Sequence, residues 1–195
     1  MYGDRSTLKN HKTHEEREVV LAAIKASSPY DQEGSPLEYV SEDFKRDRKV
    51  VLLALEQDGD ALAYVSEELK QDKEVALAAT NSNSNWVSVL QNAPEELKRD
   101  RGFVLTAVQK NGDALEYASE DLKRDREVVL AAVTHWGGAL QYASENLKRD
   151  RDFILTAVTQ DGYALHYASE ELQNDREIVL AAVTKNGFAL EYASK

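Results

Sequence analysis

The 195-residue sequence contains no cysteine, and this absence excludes several kinds of site at once. Without cysteine there is no disulfide framework, no thiolate ligand for a metal and no cysteine nucleophile. Nothing in the composition points to an oxidising compartment, so a cytoplasmic location is the default expectation.

Long apolar runs are also missing. No stretch approaches the roughly 18 consecutive apolar residues that a membrane-spanning helix requires. Residues 1–15 are polar and charged, and they lack the apolar centre of a secretion signal. We expect no membrane span, and we interpret residues 1–15 as a polar N-terminal leader. His11 and His14 are close enough in this leader to share a helical face, but a solvated tail is favoured over a metal site there.

Basic residues are in deficit. The chain has 24 Lys and Arg against 35 Asp and Glu, which gives a net charge of -11. A strongly negative protein repels polyanions unless its basic residues gather on one face. Nucleic acid is therefore an unfavoured partner.

What the sequence does contain is an internal repeat. Near copies of Asp-Arg-Glu-Val-Val-Leu-Ala-Ala-Val recur with gaps of 25, 28, 25, 25 and 25 residues between their leading aspartates. A related copy precedes them, with Glu16 in place of aspartate. We number these copies repeats 1 to 7, and they begin at Glu16, Asp47, Asp72, Asp100, Asp125, Asp150 and Asp175. Residues 16–195 are thus predicted to form a single array of stacked units.

The residue pattern within one repeat predicts two short helices. The aspartate is a favoured N-cap, and an apolar stripe follows it, as in Val128, Val129, Ala132 and Val133. This helix is predicted to run for about ten residues, roughly 15 Å. It ends at a glycine predicted to be left-handed, in the set Gly59, Gly112, Gly137, Gly162 and Gly187. A shorter apolar set then predicts a second helix, which ends at a serine that begins a tight polar turn.

The predicted fold class is all-α, an α-solenoid of about seven two-helix repeats. Isolated helices of this length are marginal in water, so stacking must stabilise them. A parallel-strand solenoid has repeats of similar length. It is disfavoured because the apolar run is rich in alanine and leucine, does not alternate, and carries a helix cap.

The segment Gly112–Val133, GDALEYASEDLKRDREVVLAAV, resembles the tandem repeats of the family catalogued as domain of unknown function 4116. The resemblance extends over nearly the whole chain from Glu16. It implies a helical repeat array and carries no catalytic, cofactor or metal residues, because the molecular function of that family is uncharacterised.

Variation between the repeats gathers at the connection between the two helices, where both length insertions also fall (residues 26–36 and 81–85). In repeat arrays such positions are available for binding, because the constant positions are used for packing. Aromatic residues at this edge are favoured anchors for protein partners, although packing against neighbouring loops is the simpler interpretation. The candidate contact residues are His135, Trp136, Tyr163, His166 and Phe188.

Other candidates are weaker. His135 and His166 occupy different repeat positions, and a zinc site needs about four converging ligands. We therefore predict no metal site and no cofactor. Six aligned tyrosines predict a half-buried structural ladder: Tyr39, Tyr64, Tyr117, Tyr142, Tyr167 and Tyr192.

A recurring Lys-Arg-Asp-Arg cluster forms a possible basic edge, as at residues 98–101, 123–126 and 148–151. Neighbouring glutamates favour ion pairs between repeats over phosphate binding.

The sequence therefore predicts a non-enzymatic module for protein interaction or scaffolding, with no catalytic residue. Single glycines at helix ends do not form a phosphate-binding loop, and the acidic residues sit at caps and on the surface. Two alternatives stay open. One is a binder of anionic ligand or nucleic acid through the basic edge, and the other is an accessory region of a larger enzyme or effector. Partner identity and oligomeric state do not follow from the sequence.

Overall fold

A computed structural model describes residues 5–26, 35–81 and 85–193, with side chains from residue 16 onward except residue 81. The side chains of His11 and His14, and most of both insertions, lie outside the described residues. Every regular element within the described ranges is helical, so the predicted all-α fold is confirmed. No helix in these ranges combines the length and apolar character needed to cross a membrane.

The chain forms two compact units, Met1–Pro94 and Glu95–Lys195. In the first unit the α-helices are Arg5–Ala26, Glu42–Lys45, Arg48–Gln57, Glu67–Lys70, Lys73–Ala78 and Trp86–Asn92, and the 3₁₀ helices are Pro36–Glu38, Gly59–Tyr64 and Ala79–Asn81. The first helix includes residues 5–15, so its backbone runs without a break into repeat 1.

The second unit contains repeats 4 to 7. Its α-helices are Glu95–Arg99, Arg101–Lys110, Arg126–His135, Glu145–Lys148, Arg151–Gln160, Glu170–Gln173 and Arg176–Lys185. Its 3₁₀ helices are Gly112–Tyr117, Leu122–Arg124, Gly137–Tyr142, Gly162–Tyr167 and Gly187–Tyr192. A typical repeat is thus a ten-residue α-helix, a six-residue 3₁₀ helix and one further turn of helix where the sequence predicted a polar turn.

The leading aspartates act as the predicted N-caps. Asp125 Oδ1 accepts hydrogen bonds from the backbone N–H groups of Glu127 and Val128 at 3.0 and 3.1 Å. The same contacts recur at Asp47, Asp72 and Asp175. Since a cap satisfies donors that the first helical turn leaves free, each ten-residue helix begins where its sequence predicts.

The prediction of left-handed glycines is wrong at Gly112, Gly137, Gly162 and Gly187, none of which has a positive φ in the left-handed range. In repeat 4 the ten-residue helix ends at Lys110, and the extended residue Asn111 (φ -151°, ψ 115°) separates it from Gly112. Glycine is required for a different reason. A Cβ at Gly162 would lie 2.5 Å from the carbonyl oxygen of Ala182, in the next repeat. The glycine therefore permits close approach between repeats.

Repeats within each unit are joined by backbone hydrogen bonds and by buried small residues. Ser144 N–H donates to the Lys123 carbonyl at 3.0 Å, and Ser169 N–H donates to the Lys148 carbonyl at the same distance. Alanines of the apolar stripe, such as Ala132 and Ala157, are fully buried. This arrangement fixes the connection between the two helices of each repeat, where the candidate site lies.

The tyrosine ladder agrees with its prediction at five of six positions. Tyr64, Tyr117, Tyr142, Tyr167 and Tyr192 are half-buried, whereas Tyr39 in repeat 1 is exposed.

Candidate interaction surface

The connection between the two helices of a repeat is built on a local cap. Its Asp or Asn side chain accepts a hydrogen bond from the N–H group two residues later, which starts the 3₁₀ helix. Asn111 Oδ1 accepts from Asp113 at 3.0 Å, and Asp161 Oδ1 accepts from Tyr163 at 3.0 Å. Equivalent bonds occur at Asp58 and Asn186.

Repeat 5 departs from this pattern because Trp136 holds the cap position. Its side chain makes no cap hydrogen bond, although its backbone (φ -157°, ψ 118°) matches that of Asn111. The indole instead lies over Gly138, where an added Cβ would stand 2.2 Å from an indole carbon. Trp136 and Gly138 are therefore a matched pair, in which the missing side chain makes room for the ring.

His135 compensates for one contact that Trp136 removes. Gly137 N–H of repeat 5 donates to Asp161 Oδ2 of repeat 6 at 2.7 Å. At the preceding junction Trp136 has no such oxygen, and Gly112 N–H donates to His135 Nδ1 at 3.3 Å. His135 thus has a structural role at one ring nitrogen while its side chain stays exposed.

Aromatic rings from repeats 5, 6 and 7 converge on Tyr163. The ring centroid of Tyr163 lies 6.4 Å from that of Trp136 and 5.7 Å from that of His166, which stacks on it with a 27° tilt. Tyr167 and Tyr192 meet Tyr163 edge-on at 5.8 and 5.3 Å. Such edge-to-face contacts stabilise a cluster beyond simple burial. We call Trp136, Tyr163, His166, Tyr167 and Tyr192 the aromatic cluster.

His166 is the exposed member of the aromatic cluster, whereas its four other rings are half-buried. It lies 4.6 Å from Tyr167 and 4.5 Å from Tyr192 between ring centroids. The cluster therefore presents one polar edge and several ring edges to solvent, and the rings also pack on one another as the simpler sequence interpretation holds.

Acidic side chains lie near two of the ladder tyrosines, Tyr142 and Tyr167, of which Tyr167 belongs to the aromatic cluster. Burial first, and then the charges of Glu116 and Asp113, raise the pKa of Tyr142 to about 12. A hydrogen bond with Tyr163, followed by burial, raises the pKa of Tyr167, and Asp113 contributes to that shift as well. Burial and Glu116 raise the pKa of Asp113, while His135 opposes that shift. Tyr142 and Tyr167 are therefore neutral phenols that lie near the carboxyl groups of Glu116 and Asp113.

A known protein family matches most of the chain in overlapping segments. The family described as "Domain of unknown function (DUF4116)" matches residues 16–70, 47–98, 72–123, 125–173 and 150–195. The chain belongs to the DUF4116 family. Its fold is the predicted all-α repeat solenoid. No curated protein and no solved structure matches the chain.

Of the five contact residues predicted from the sequence of this DUF4116 chain, the structure brings three together: Trp136, Tyr163 and His166. His135 lies beside Trp136 but is engaged with Gly112. Phe188 has no ring contact with any described residue and is 76% exposed. Tyr167 and Tyr192 were assigned only to the structural ladder. Their place in the cluster follows from the contact of Tyr163 with the ladder tyrosines of its own and the next repeat.

The basic clusters of these DUF4116 repeats are extensively ion-paired, as predicted. Lys123 Nζ lies 3.0 Å from Glu120 within its own turn. Arg101 reaches the next repeat, where it pairs with Asp125 at 2.8 Å and Glu127 at 2.5 Å. The last arginine of each cluster therefore links one repeat to the next, which leaves it less available to an external phosphate.

Proposed function

We propose that this DUF4116 chain is a non-enzymatic protein-interaction module and that the aromatic cluster is its contact surface. The observation that carries the proposal is the Trp136–Gly138 pair. In repeat 5 alone among the described connections, a stabilising cap is replaced by a large ring together with the glycine that accommodates it. Departures from a locally favourable rule tend to mark functional positions.

The composition of the aromatic cluster is that of a binding hot spot. Trp and Tyr supply large, rigid contact area, and they dominate measured hot spots at protein interfaces. His166 adds an exposed polar group at the centre of the same surface. The varied positions of repeats 5 and 6 supply rings for recognition while the helices beneath them keep the common sequence.

The chemistry of the cluster fits a partner that presents Arg or Lys side chains. Aromatic faces attract cations, and the charge of Asp113 acts on Tyr167, a member of the cluster. The net charge of -11 also favours encounter with a basic surface. The ion pairing of Lys123 and Arg101 speaks against the alternative of an anionic ligand at the basic edge.

The test exchanges the loop of repeat 5 for that of repeat 4. Trp136→Asn with Gly138→Asp recreates the Asn-Gly-Asp sequence of residues 111–113, whose backbone at the cap position has the same conformation. The variant is expected to fold, because the restored cap supplies a hydrogen bond. Its partner is expected to bind at least about tenfold more weakly, as for loss of a hot-spot residue.

The measurement is affinity capture from the source organism followed by titration calorimetry with the purified partner. Asn111→Asp is the matched control, because it changes a cap without touching the cluster, and circular dichroism checks the fold of each variant. Equal affinity of the loop exchange and the wild type would contradict the proposal. Loss of binding to RNA or phosphoinositide vesicles on Arg99→Glu with Arg149→Glu would instead support the basic edge.

A further inference from the structure

Asn111 and Gly112 form an Asn-Gly pair, the sequence in which an asparagine side chain reacts most readily with its own main chain. Glycine has no side chain to hinder that approach. In this reaction the glycine nitrogen attacks the asparagine Cγ, so that an N–Cγ bond forms and the Cγ–Nδ2 bond breaks. Ammonia leaves with the proton of the glycine N–H group. Water then opens the cyclic imide at either carbonyl, which gives aspartate or isoaspartate.

Both groups that would react at Asn111 are held by hydrogen bonds. Gly112 N–H donates to Nδ1 of His135, in repeat 5, at 3.3 Å. Asn111 Oδ1 accepts from the N–H group of Asp113 at 3.0 Å, which starts the 3₁₀ helix Gly112–Tyr117. An attack needs the Gly112 nitrogen released from His135. It also needs the Asn111 side chain rotated away from Asp113, so the closed structure opposes the reaction at both groups.

Repeat 5 also fixes the main chain of Gly112. The glycine is buried, and a Cβ built on it would lie 2.6 Å from the carbonyl oxygen of Ala132 and 3.3 Å from Cβ of Ala139. Both alanines belong to repeat 5 and are fully buried. The main chain at Gly112 therefore has no room to turn toward the Asn111 side chain until repeat 5 moves away. Such a movement is a local opening of the junction between repeats 4 and 5.

An aspartate at residue 111 suits this position in the fold. Asp58 and Asp161 hold the same cap position in repeats 2 and 6, with φ of -147° and -145° against -151° for Asn111. Each starts its 3₁₀ helix with the same hydrogen bond, at 2.9 Å from Asp60 N–H and 3.0 Å from Tyr163 N–H. Isoaspartate instead adds a carbon atom to the main chain. We therefore expect aspartate, and not isoaspartate, to keep the junction intact.

We propose that Asn111 is a latent site of spontaneous deamidation, which the junction between repeats 4 and 5 controls. The closed junction suppresses the reaction, and each local opening permits it. Water is the co-reactant, and the reaction needs neither an enzyme nor a cofactor. Since the conversion to a carboxyl group is irreversible, the fraction of converted chains records how long the junction has been open. This inference is independent of the proposed partner binding.

Peptide mapping of the purified full chain by mass spectrometry tests the proposal. Samples taken during incubation at neutral pH give the fraction of residue 111 present as asparagine, aspartate and isoaspartate. Conversion should be at least about tenfold slower in the folded chain than in the same chain unfolded in guanidinium chloride, because the folded chain must first open locally. Equal rates in the two states would overturn the proposal, as would an Asn111 that is not converted even when the chain is unfolded.

A substitution at His135 tests the control by repeat 5. His135→Ala removes the acceptor of the Gly112 N–H group, and it should speed conversion of the folded chain by at least about threefold, as for loss of one hydrogen bond. Thr134→Ala is the matched control, because it changes the preceding exposed residue of the same helix and leaves the Gly112 contact in place. It should convert at the wild-type rate. An unchanged rate in His135→Ala would contradict the proposal.

A rescue variant separates this contact from a general loss of stability. At the next junction, Asp161 Oδ2 accepts the Gly137 N–H group at 2.7 Å. Trp136→Asp places the same side chain at the corresponding position for Gly112. Added to His135→Ala, it should return conversion to the slow wild-type rate. A double variant that converts as fast as His135→Ala would show that the hydrogen bond of Gly112 does not control the reaction.

Discussion

Repeats 6 and 7 follow the same residue pattern, but the corresponding residues on their forward sides, the sides toward a following repeat, lie in opposite environments. Leu165 and Leu190 occupy equivalent positions, each after an alanine in the 3₁₀ helix of its own repeat. Leu165 is completely buried, whereas Leu190 is largely exposed. The two preceding glycines differ in the same way, since a neighbour crowds Gly162 and none crowds Gly187. We infer from this comparison that these repeated residues stabilise the junction with the following repeat more than the repeat that contains them.

Truncation of the two leucines should give the largest contrast. Leu165→Ala removes a fully buried side chain and should lower the free energy of unfolding by about 2–5 kcal/mol. Leu190→Ala should change it by less than about 0.5 kcal/mol, as for an exposed position. Urea denaturation at low protein concentration measures both values. Similar losses at the two sites would show that the leucine stabilises its own repeat.

The two glycines give a smaller contrast of the same kind. Gly162→Ala introduces a Cβ 2.5 Å from a backbone oxygen of the next repeat, and the resulting overpacking should cost about 1–3 kcal/mol. Gly187→Ala meets no atom, and it should be neutral or stabilising by up to about 1 kcal/mol, because alanine restricts the unfolded chain. Thermal unfolding of the two variants compares them directly. A large loss of stability in Gly187→Ala would show that the glycine is required by the backbone of its own repeat.

Asp125 and Asp113 extend the comparison to two kinds of position. Asp125 caps a ten-residue helix, whereas Asp113 lies in the connection between the two helices of repeat 4. The hydrogen bond from Arg101, followed by the cap N–H groups, lowers the pKa of Asp125, whereas burial and Glu116 raise that of Asp113. Asp125 therefore stabilises the fold above its unfolded pKa of about 3.9, and this contribution is lost as pH falls through the lower folded value. Asp113 has the opposite effect on stability. Because its pKa is raised in the folded state, its ionisation lowers the free energy of unfolding as pH rises through that pKa.

At pH 7, Asp125→Ala should cost about 1 kcal/mol through loss of the cap. Asp113→Asn should be neutral or stabilising by up to about 0.5 kcal/mol, as at other surface sites. Unfolding curves from pH 3 to pH 7 should be flatter for Asp125→Ala than for the wild type. Equal destabilisation by Asp125→Ala and Asp113→Asn would contradict the inference that the two carboxylates have opposite effects on stability.

Local sequence was sufficient for the features set within about ten residues. Asp125 and its counterparts predicted the helix starts, and the apolar stripe predicted the buried face. The spacing of Lys, Arg and Glu also predicted ion pairs. The left-handed glycine was wrong because an Asn-Gly pair after a helix is typical of a helix stop. The actual requirement at Gly162 comes from Ala182, 20 residues further on, which no local pattern displays.

The candidate surface was predicted in part for a similar reason. Trp136, Tyr163 and His166 stood out because they vary between otherwise similar repeats. Tyr192 did not, because it recurs in every typical copy, and its contact with Tyr163 depends on how two repeats are stacked. Phe188 has the same position as Tyr163, but it meets no ladder tyrosine among the described residues.

The steric rule at the glycine position has an evolutionary consequence. Since atoms of the following copy occupy the space beside Gly112, Gly137 and Gly162, duplication or deletion of a whole copy preserves the rule for every copy that keeps its neighbour. A copy without a following neighbour is not subject to this steric limit, and it is expected to accept a side chain at that site without internal harm. Substitution at the glycine position is then expected to begin in the outermost copies of an array. It is expected to stop wherever a later duplication places a new copy against the altered one.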